Sequence, residues 1–278
     1  MDPAPNLITD LSLARRLERA EASANAAFVE ARAAMQPASG AVWRDVNGTY
    51  AMFDGVASPL TQTFGLGLFA TPADDELVAI EAFFAERGTD VFHEVAPLAD
   101  PAVLALLVSR GYVPIEHTTV MHRPLTSASL AGLAKPSTLT TRRIGHDELG
   151  AWAETSARGW GESPELASFM RDFGNITGRS RGVTCFVADL EGQMVGTGAM
   201  AMHGGVALLA GASTIPAFRG RGAQTALLEA RLAYAADHGC DLAMMGAAPG
   251  STSQTNAERQ GFRIAYTRLK WHRPHRAP

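Results

Sequence analysis

The sequence predicts an α/β protein built from two related domains in tandem, introduced by one long helix. Three observations carry that expectation. Residues 111–124 (GYVPIEHTTVMHRP) align without a gap on residues 261–274 (GFRIAYTRLKWHRP), sharing the glycine, an aromatic and the closing His-Arg-Pro. Each copy follows a helix that ends in glycine and then a strand: Gly88-Thr89-Asp90 mirrors Gly239-Cys240-Asp241, and the Gly88–Gly111 spacing differs by one residue from Gly239–Gly261. Matched spacing of this kind marks a repeated supersecondary unit. Stretches of period-two alternation also give way repeatedly to stretches of helical period, the pattern of mixed sheets flanked by helices.

The elements follow in order. Residues 11–35 are alanine-rich, mix Arg with Glu and contain neither Pro nor Gly. Leu13, Leu17, Ala20, Ala24, Ala27 and Phe28 share one face of the predicted helix, suited to packing within the chain or to a helical dimer contact. A break at 36–40 precedes two or three strands in residues 42–69, separated by the turn signals Asn47-Gly48, Asp54-Gly55 and Ser58-Pro59. Thr71-Pro72-Ala73-Asp74 predicts a helix start, with Thr as cap and Pro at the first helical position, running to about Arg87. A strand at 91–95, a helix opened by Asp100-Pro101 and closed by Gly111, and a long strand at 112–123 complete the first half.

Residues 125–137, rich in Ser, Ala and Gly, read as a linker. A strand at 138–144 and a helix at 146–158 follow, and Ser163-Pro164-Glu165 starts a further helix ending near Gly174. Strands at 182–189 and 194–202 are joined by Glu191-Gly192-Gln193. After the apolar run 206–212 and a fourth helix come a strand at 241–245, the capping box Ser251-Thr252-Ser253-Gln254 of a short helix, and a last strand at 262–272. The expected organisation is a helical arm at 1–40, one domain at 41–124, a linker at 125–137 and a second domain at 138–278.

The chemistry concentrates in residues 212–238, ASTIPAFRGRGAQTALLEARLAYAADH. A strand breaks at Pro216, passes through Arg219-Gly220-Arg221-Gly222 and enters a helix on which Leu227, Leu228, Arg231, Leu232 and Ala235 recur at helical spacing. Glycines allow a tight turn and close approach of backbone to a ligand. The first amides of a helix lack partners and lie at the positive end of its dipole, so such a turn suits a phosphate, with two arginines beside it. The stretch from Gly220 lacks the third glycine of a dinucleotide fingerprint, and no Lys-Ser/Thr pair makes it a P-loop. In the first copy the matching position, seventeen residues before Gly88, is Thr71, beside Pro72, with neither arginine nor a glycine pair. Pro72 also removes an amide.

The loop resembles the acyl-CoA loop R/Q-x-x-G-x-G/A of the GNAT superfamily of N-acetyltransferases. Arg219 and Gly222 fall on the pattern after Pro216-Ala217-Phe218, while Gln224 stands where Gly or Ala is usual. The order of elements from about Thr138 to Pro274 is also that of the family. The resemblance implies a tandem GNAT-like protein whose first domain is a degenerate copy and whose second binds acetyl-CoA as cosubstrate. It implies that Ala212, Ser213 and Thr214 contact the pantetheine arm and that Arg219, Gly220, Arg221, Gly222, Ala223 and Gln224 cradle the pyrophosphate. Ser253 and Asn256, three apart on the short helix, share a face and could reach the cofactor. A backbone amide where two strands part would stabilise the oxyanion.

The general acid and base are unassigned. The tyrosine that many relatives place four residues before the Gly-Phe pair is replaced by Ala257, and the asparagine seven residues earlier by Gly250. No carboxylate falls in residues 206–214. Tyr266 suits a core aromatic, Glu162 a helix-start charge and His203 a surface turn. His122 and His272 recur in both copies, which favours structural roles.

Composition sets the outer bounds. The chain has 278 residues, 46% hydrophobic and 19% charged, with a formal net charge of −4, which disfavours nucleic acid as a partner. Arginine dominates because the only lysines are Lys135 and Lys270. The N-terminus lacks the pattern of a signal peptide and no run approaches the ~20 apolar residues of a membrane span. Cys185 and Cys240 form no C-x-x-C pair, so neither a zinc site nor a disulfide framework is expected. The expectation is a cytoplasmic monomer or homodimer, without metal, that acetylates an amine of a small molecule or peptide. A CoA-binding regulatory or scaffold protein without chemistry is the alternative class. A nucleotide-binding oxidoreductase is disfavoured by the missing third glycine.

Overall fold

The computed structural model describes residues 8–127, 139–160 and 164–275. Most of the expected linker, together with Glu162 and Ser163, lies outside them. The chain divides into two compact units that are not contiguous in sequence. The first comprises Leu7–Arg123 with Met244–Pro278, and the second Pro124–Ala243.

In the first unit, α1 (Leu11–Met35) starts where the side chain of Asp10 accepts the Leu13 amide at 2.8 Å. It packs on β1 (Val42–Val46), β2 (Thr49–Phe53) and β3 (Gln62–Phe64). Ala22, Ala26 and Val29 bury against Ala41, Met52 and Phe64. The helix is thus a core element of its unit. Asn47 (φ 51°) and Gly48 (φ 90°) join β1 to β2 through a two-residue turn with both central residues at positive φ, the geometry that matches strand twist.

Helix α2 (Asp74–Ala85), β4 (Val91–Val95), α3 (Ala102–Ser109) and β5 (Val113–Pro124) complete the first copy of the repeat. Two predicted starts differ in detail. The residue capping α2 is Ala73, with no side-chain bond, so Thr71 and Pro72 precede the helix rather than open it. Three consecutive acids, Asp74, Asp75 and Glu76, occupy its first turn and complement the helix dipole instead. Before α3, Asp100 accepts the Ala102 amide at 2.9 Å. The core beneath joins Leu77, Ile80, Phe83 and Phe84 to Val103, Leu107 and Tyr112. Each such large apolar side chain, fully buried, contributes roughly 1.5–3 kcal/mol.

The second unit carries β6 (Thr140–Arg143), α4 (Leu149–Gly159), α5 (Pro164–Thr177), β7 (Val183–Leu190), β8 (Gln193–His203), β9 (Val206–Thr214) and α6 (Ala223–Asp237). Strands β6 to β9 form an antiparallel meander in sequence order. The β7–β8 turn is Glu191-Gly192 alone, because Leu190 already pairs with Gln193. Trp152 of α4 is buried on this sheet and its indole N–H donates to the Phe186 carbonyl at 2.9 Å.

The boundary between units falls inside β10 (Leu242–Ala247), after which α7 (Thr252–Arg259) and β11 (Arg263–Arg273) belong to the first unit. Ser251 caps α7 by accepting the Gln254 amide, but the Gln254 side chain accepts from Gly250 rather than closing the box on Ser251. The sequence places β11 with residues 138–278. In the structure β11 lies between β4 and β5, antiparallel to both, and β5 borders β10. Because β10 and β11 repeat β4 and β5, the order β4-β11-β5-β10 sets each copy's last strand beside the other copy's preceding strand. The pairing is symmetric: Arg263 faces His122 while His272 faces Val113, and the repeat aligns Arg263 with Val113 and His272 with His122. Two strands so alike in pattern can satisfy the same neighbours.

Several buried charges in the first unit are paired. Arg268 of β11 donates to Glu21 and Glu94 at 2.7–2.9 Å and to Glu18 at 3.3 Å. Tyr266 donates to Glu18 at 2.9 Å, so this tyrosine is a core side chain tied to α1. Arg110 and Arg273 converge on Glu81 and hold its carboxyl below the usual range in spite of burial.

Candidate functional site

The site forms where β9 passes through the short 3₁₀ turn Pro216–Phe218 into α6. Gly220 (φ 76°) and Gly222 (φ 86°) both take the left-handed conformation, and Gly222 caps the helix. A Cβ on either would meet nothing within 4 Å, so neither glycine is required by packing. Their role is conformational: they turn the backbone outward. Among the described residues, the amides of residues 220–225 meet no acceptor, and the first intrahelical bond at this end is Ala226 N–H to the Gly222 carbonyl at 3.0 Å. The first turn of α6 contains no acid. Arg221 is exposed and lies over the Phe218 ring, 5.6 Å from its centroid. The result is a run of amides without acceptors beside the exposed Arg221 guanidinium, fit for a multiply charged phosphate group.

The other loop side chains act inward. Arg219 donates to the Gly159 carbonyl at 2.9 Å and to the Thr214 carbonyl at 3.4 Å, fastening the loop to the end of α4. Gln224, the departure from the motif, donates to the Ser213 carbonyl and the Thr214 hydroxyl, both at 2.7 Å. A glycine or alanine there could make neither bond. Ser213 and Thr214 are buried; the Ser213 hydroxyl bonds Thr197 at 2.9 Å and donates to the Ser156 carbonyl at 3.1 Å. Ala223 is buried under the first turn of α6. Ala212 is exposed with Ala210 and Gly211, the only exposed run in β9. Ser253 and Asn256 are exposed on α7, which belongs to the first unit.

Sequence reasoning missed three contributors. Gly159 lets the end of α4 touch β9, since a Cβ would come within 2.6 Å of Ser213. Ser156 supplies the carbonyl that orients Ser213. Arg231 is buried although charged, and its place on the apolar stripe with Leu227 was the available signal. Other candidates fall away: His203 is exposed at the end of β8, and Ala257 is a buried small residue. His122 is buried, and His272 stacks on Phe92 and bonds Asp90 at 2.8 Å. An open cavity of about 250 Å³ in the second unit is lined by Arg143, His146 and Cys185 among others, and by none of the loop residues. Burial raises the Cys185 thiol to about 12, which makes it inert. No helix among the described residues is long and apolar enough to cross a membrane.

Residues 148–262 match the model of the acetyltransferase (GNAT) family. No curated protein sequence matches the chain. Solved structures do: a GCN5-related N-acetyltransferase from Kribbella flavida is 20% identical with a TM-score of 0.60, over 89% of this chain and 95% of that one. A tandem GNAT protein from the clavulanic acid biosynthesis pathway is 16% identical with a TM-score of 0.59, over 83% and 79%. A GCN5-related N-acetyltransferase from Sphaerobacter thermophilus is 18% identical with a TM-score of 0.54, over 78% and 72%. At these identities the structures establish the fold, and the family model adds a sequence match over residues 148–262. Residues 148–262 are thus similar to the acetyltransferase (GNAT) family, which transfers acyl groups from acyl-CoA, and the chain has the α/β fold of tandem GNAT-like proteins.

Proposed function

We propose that this chain moves an acetyl or short acyl group from acyl-CoA to an amine of a small molecule or peptide, at one site per chain. The observation that carries the reading is the row of unengaged amides at residues 220–225, opened by two left-handed glycines that packing does not require. These amides and the Arg221 guanidinium would hold the CoA pyrophosphate. Arg219 and Gln224 keep the loop in shape by bonding Gly159, Ser213 and Thr214. The exposed backbone of Ala210–Ala212 is the part of β9 open to a pantetheine arm. Ser253 and Asn256 are further candidate cofactor contacts. Bound acyl-CoA would supply a thioester carbonyl carbon to which the amine nitrogen bonds as the C–S bond breaks; the nitrogen gives up one proton and the leaving thiolate takes one up. The chain's part is to orient and to offer hydrogen-bond donors where negative charge develops. The acid-rich start of α2 suits a degenerate first copy that serves as scaffold. The acceptor is read as a neutral amine of a small molecule or peptide, and the protein as a cytoplasmic monomer or homodimer working without metal.

A second reading, a CoA-binding regulator without chemistry, is favoured by one observation. Ala257 occupies the usual tyrosine position, and Tyr266 is engaged with Glu18. Release of free thiol from acetyl-CoA across a panel of amines tests both. Turnover that falls at least about tenfold in Arg221→Glu supports the acyltransferase. Binding without turnover on any amine selects the regulator, and no binding overturns both.

A further inference from the structure

Arg231 of α6 is 3% exposed and lies against the strand pair β8–β9. Its Nη1 donates to the Ala199 carbonyl at 3.1 Å and to the Ala210 carbonyl at 3.3 Å, and its Nε to Leu227 of its own helix at 3.1 Å. No carboxylate pairs with it among the described residues, and burial alone lowers the guanidinium to about 10. An uncompensated buried cation is costly, so its retention calls for a reason. Space is made for it at Gly198, where a Cβ would lie 2.9 Å from Cζ of Arg231.

The place it grips is irregular. The register shifts between Thr197↔Ser213 and Ala199↔Ala210, so Gly198 stands opposite both Gly211 and Ala212. This is a β-bulge, which bends its strand and frees a residue from the ladder. Gly211 takes φ 60°, and Ala210, Gly211 and Ala212 are exposed in a strand otherwise buried. The pair whose carbonyls Arg231 binds is the one that closes the bulge.

We infer that Arg231 is a positioning residue for acyl transfer: its guanidinium clamps the Ala199 and Ala210 carbonyls and so holds the bulge at Gly211-Ala212 in the shape that presents its backbone to the acyl group. The inference rests on the acyltransferase reading above and goes beyond it, since Arg231 is too buried to touch the cofactor. A methionine of similar length can fill the space but cannot bridge two carbonyls; a lysine keeps the charge with a single, flexible donor group.

The test compares wild type with Arg231→Met and Arg231→Lys by three readouts: acetyl-CoA affinity by calorimetry, amide hydrogen exchange along β9 without ligand, and kcat and KM. In Arg231→Met the phosphate loop is intact, so affinity stays within about threefold, because the amides at 220–225 are untouched. The amides of 210–212 exchange roughly tenfold faster than in wild type while Val206–Leu209 keep their protection. The kcat falls about 10²-fold with KM for acetyl-CoA little changed, the cost of a misplaced reacting group. Arg231→Lys recovers part of both the protection and the rate. Unchanged exchange at 210–212 with an unchanged kcat overturns the inference, as does loss of CoA binding in step with loss of rate. Wild-type protein that binds no acetyl-CoA overturns the acyltransferase reading and this role with it. Wild-type turnover matched by Arg231→Met overturns the role alone.

Discussion

At the start of α2 the first turn carries Asp74, Asp75 and Glu76, whereas the start of α6 carries no acid and follows Arg219 and Arg221. These helices occupy equivalent places in the two copies of the repeat. Glycines precede both, but for different reasons. Gly67 also takes a left-handed φ (69°), but there a Cβ would come within 2.1 Å of the Val103 side chain, so that glycine serves packing as well, while at Gly220 and Gly222 it would meet nothing. The carboxylate of Glu76 is buried and accepts from the Thr49 hydroxyl at 2.7 Å, closing the α2 terminus with the chain's own atoms. The α6 terminus is left open. Charge follows the same division: the first unit sets Arg32 on Asp54, Arg110 on Glu81 and Arg268 among Glu18, Glu21 and Glu94. The second also pairs Arg142 with Glu148 and Asp189 and Arg171 with Glu154, but leaves Arg221 exposed and Arg231 without a carboxylate among the described residues. One supersecondary plan thus yields an acid-lined helix start in one copy and an anion-ready terminus in the other.

The contrast can be broken most severely at Gly222. Gly222→Val forces a β-branched side chain into φ 86° and sets its bulk beside the free amides. Acetyl-CoA affinity should fall at least about 10²-fold, with a stability loss of roughly 1–2 kcal/mol. Calorimetry and urea unfolding read the two effects, and wild-type affinity in a folded variant would mean that the loop does not hold the cofactor.

A smaller effect sharpens the scaffold side. Burial raises the Glu18 carboxyl from 4.5 to about 7, against Arg268 and the Tyr266 hydrogen bond, with Glu21 and Glu94 adding to the rise. The folded state therefore holds a proton that the unfolded chain has released between those values. That contribution to stability is full below about pH 4.5 and is lost as pH rises to about 7. Glu18→Gln removes the linkage. Its stability relative to wild type should improve by roughly 2 kcal/mol between pH 5 and pH 8. A difference that is flat with pH would mean that Glu18 stays ionised throughout.

Much of this contrast was legible in the residues, and the rest was hidden for definable reasons. The 11–35 helix, the Asn47-Gly48 turn and the glycine turn at 220–222 are set by local propensity and φ, which the sequence states directly. The partner of β11 is not local. Residues 113–124 and 263–274 carry nearly the same pattern, so either copy can accept either strand, and only the pairing itself shows the exchange. Arg219 beside two glycines reads as a phosphate ligand, yet its donors reach Gly159, sixty residues away in sequence, and Thr214. Gln224 reads as a flaw in the motif and acts as a clamp. At α2 the acids were visible, but that they, rather than Thr71 and Pro72, open the helix depends on where the preceding chain packs.

The most direct measurement is a calorimetric titration of acetyl-CoA into wild type and into Arg221→Glu, whose side chain is exposed and away from the loop's internal bonds. One site per chain, weakened at least about tenfold by the reversed charge, is the expected result. Two equivalent sites per chain would contradict the division between the copies, because the acid-lined start of α2 would then have to bind as well. No site at all would contradict the reading of the α6 terminus as a place built for CoA.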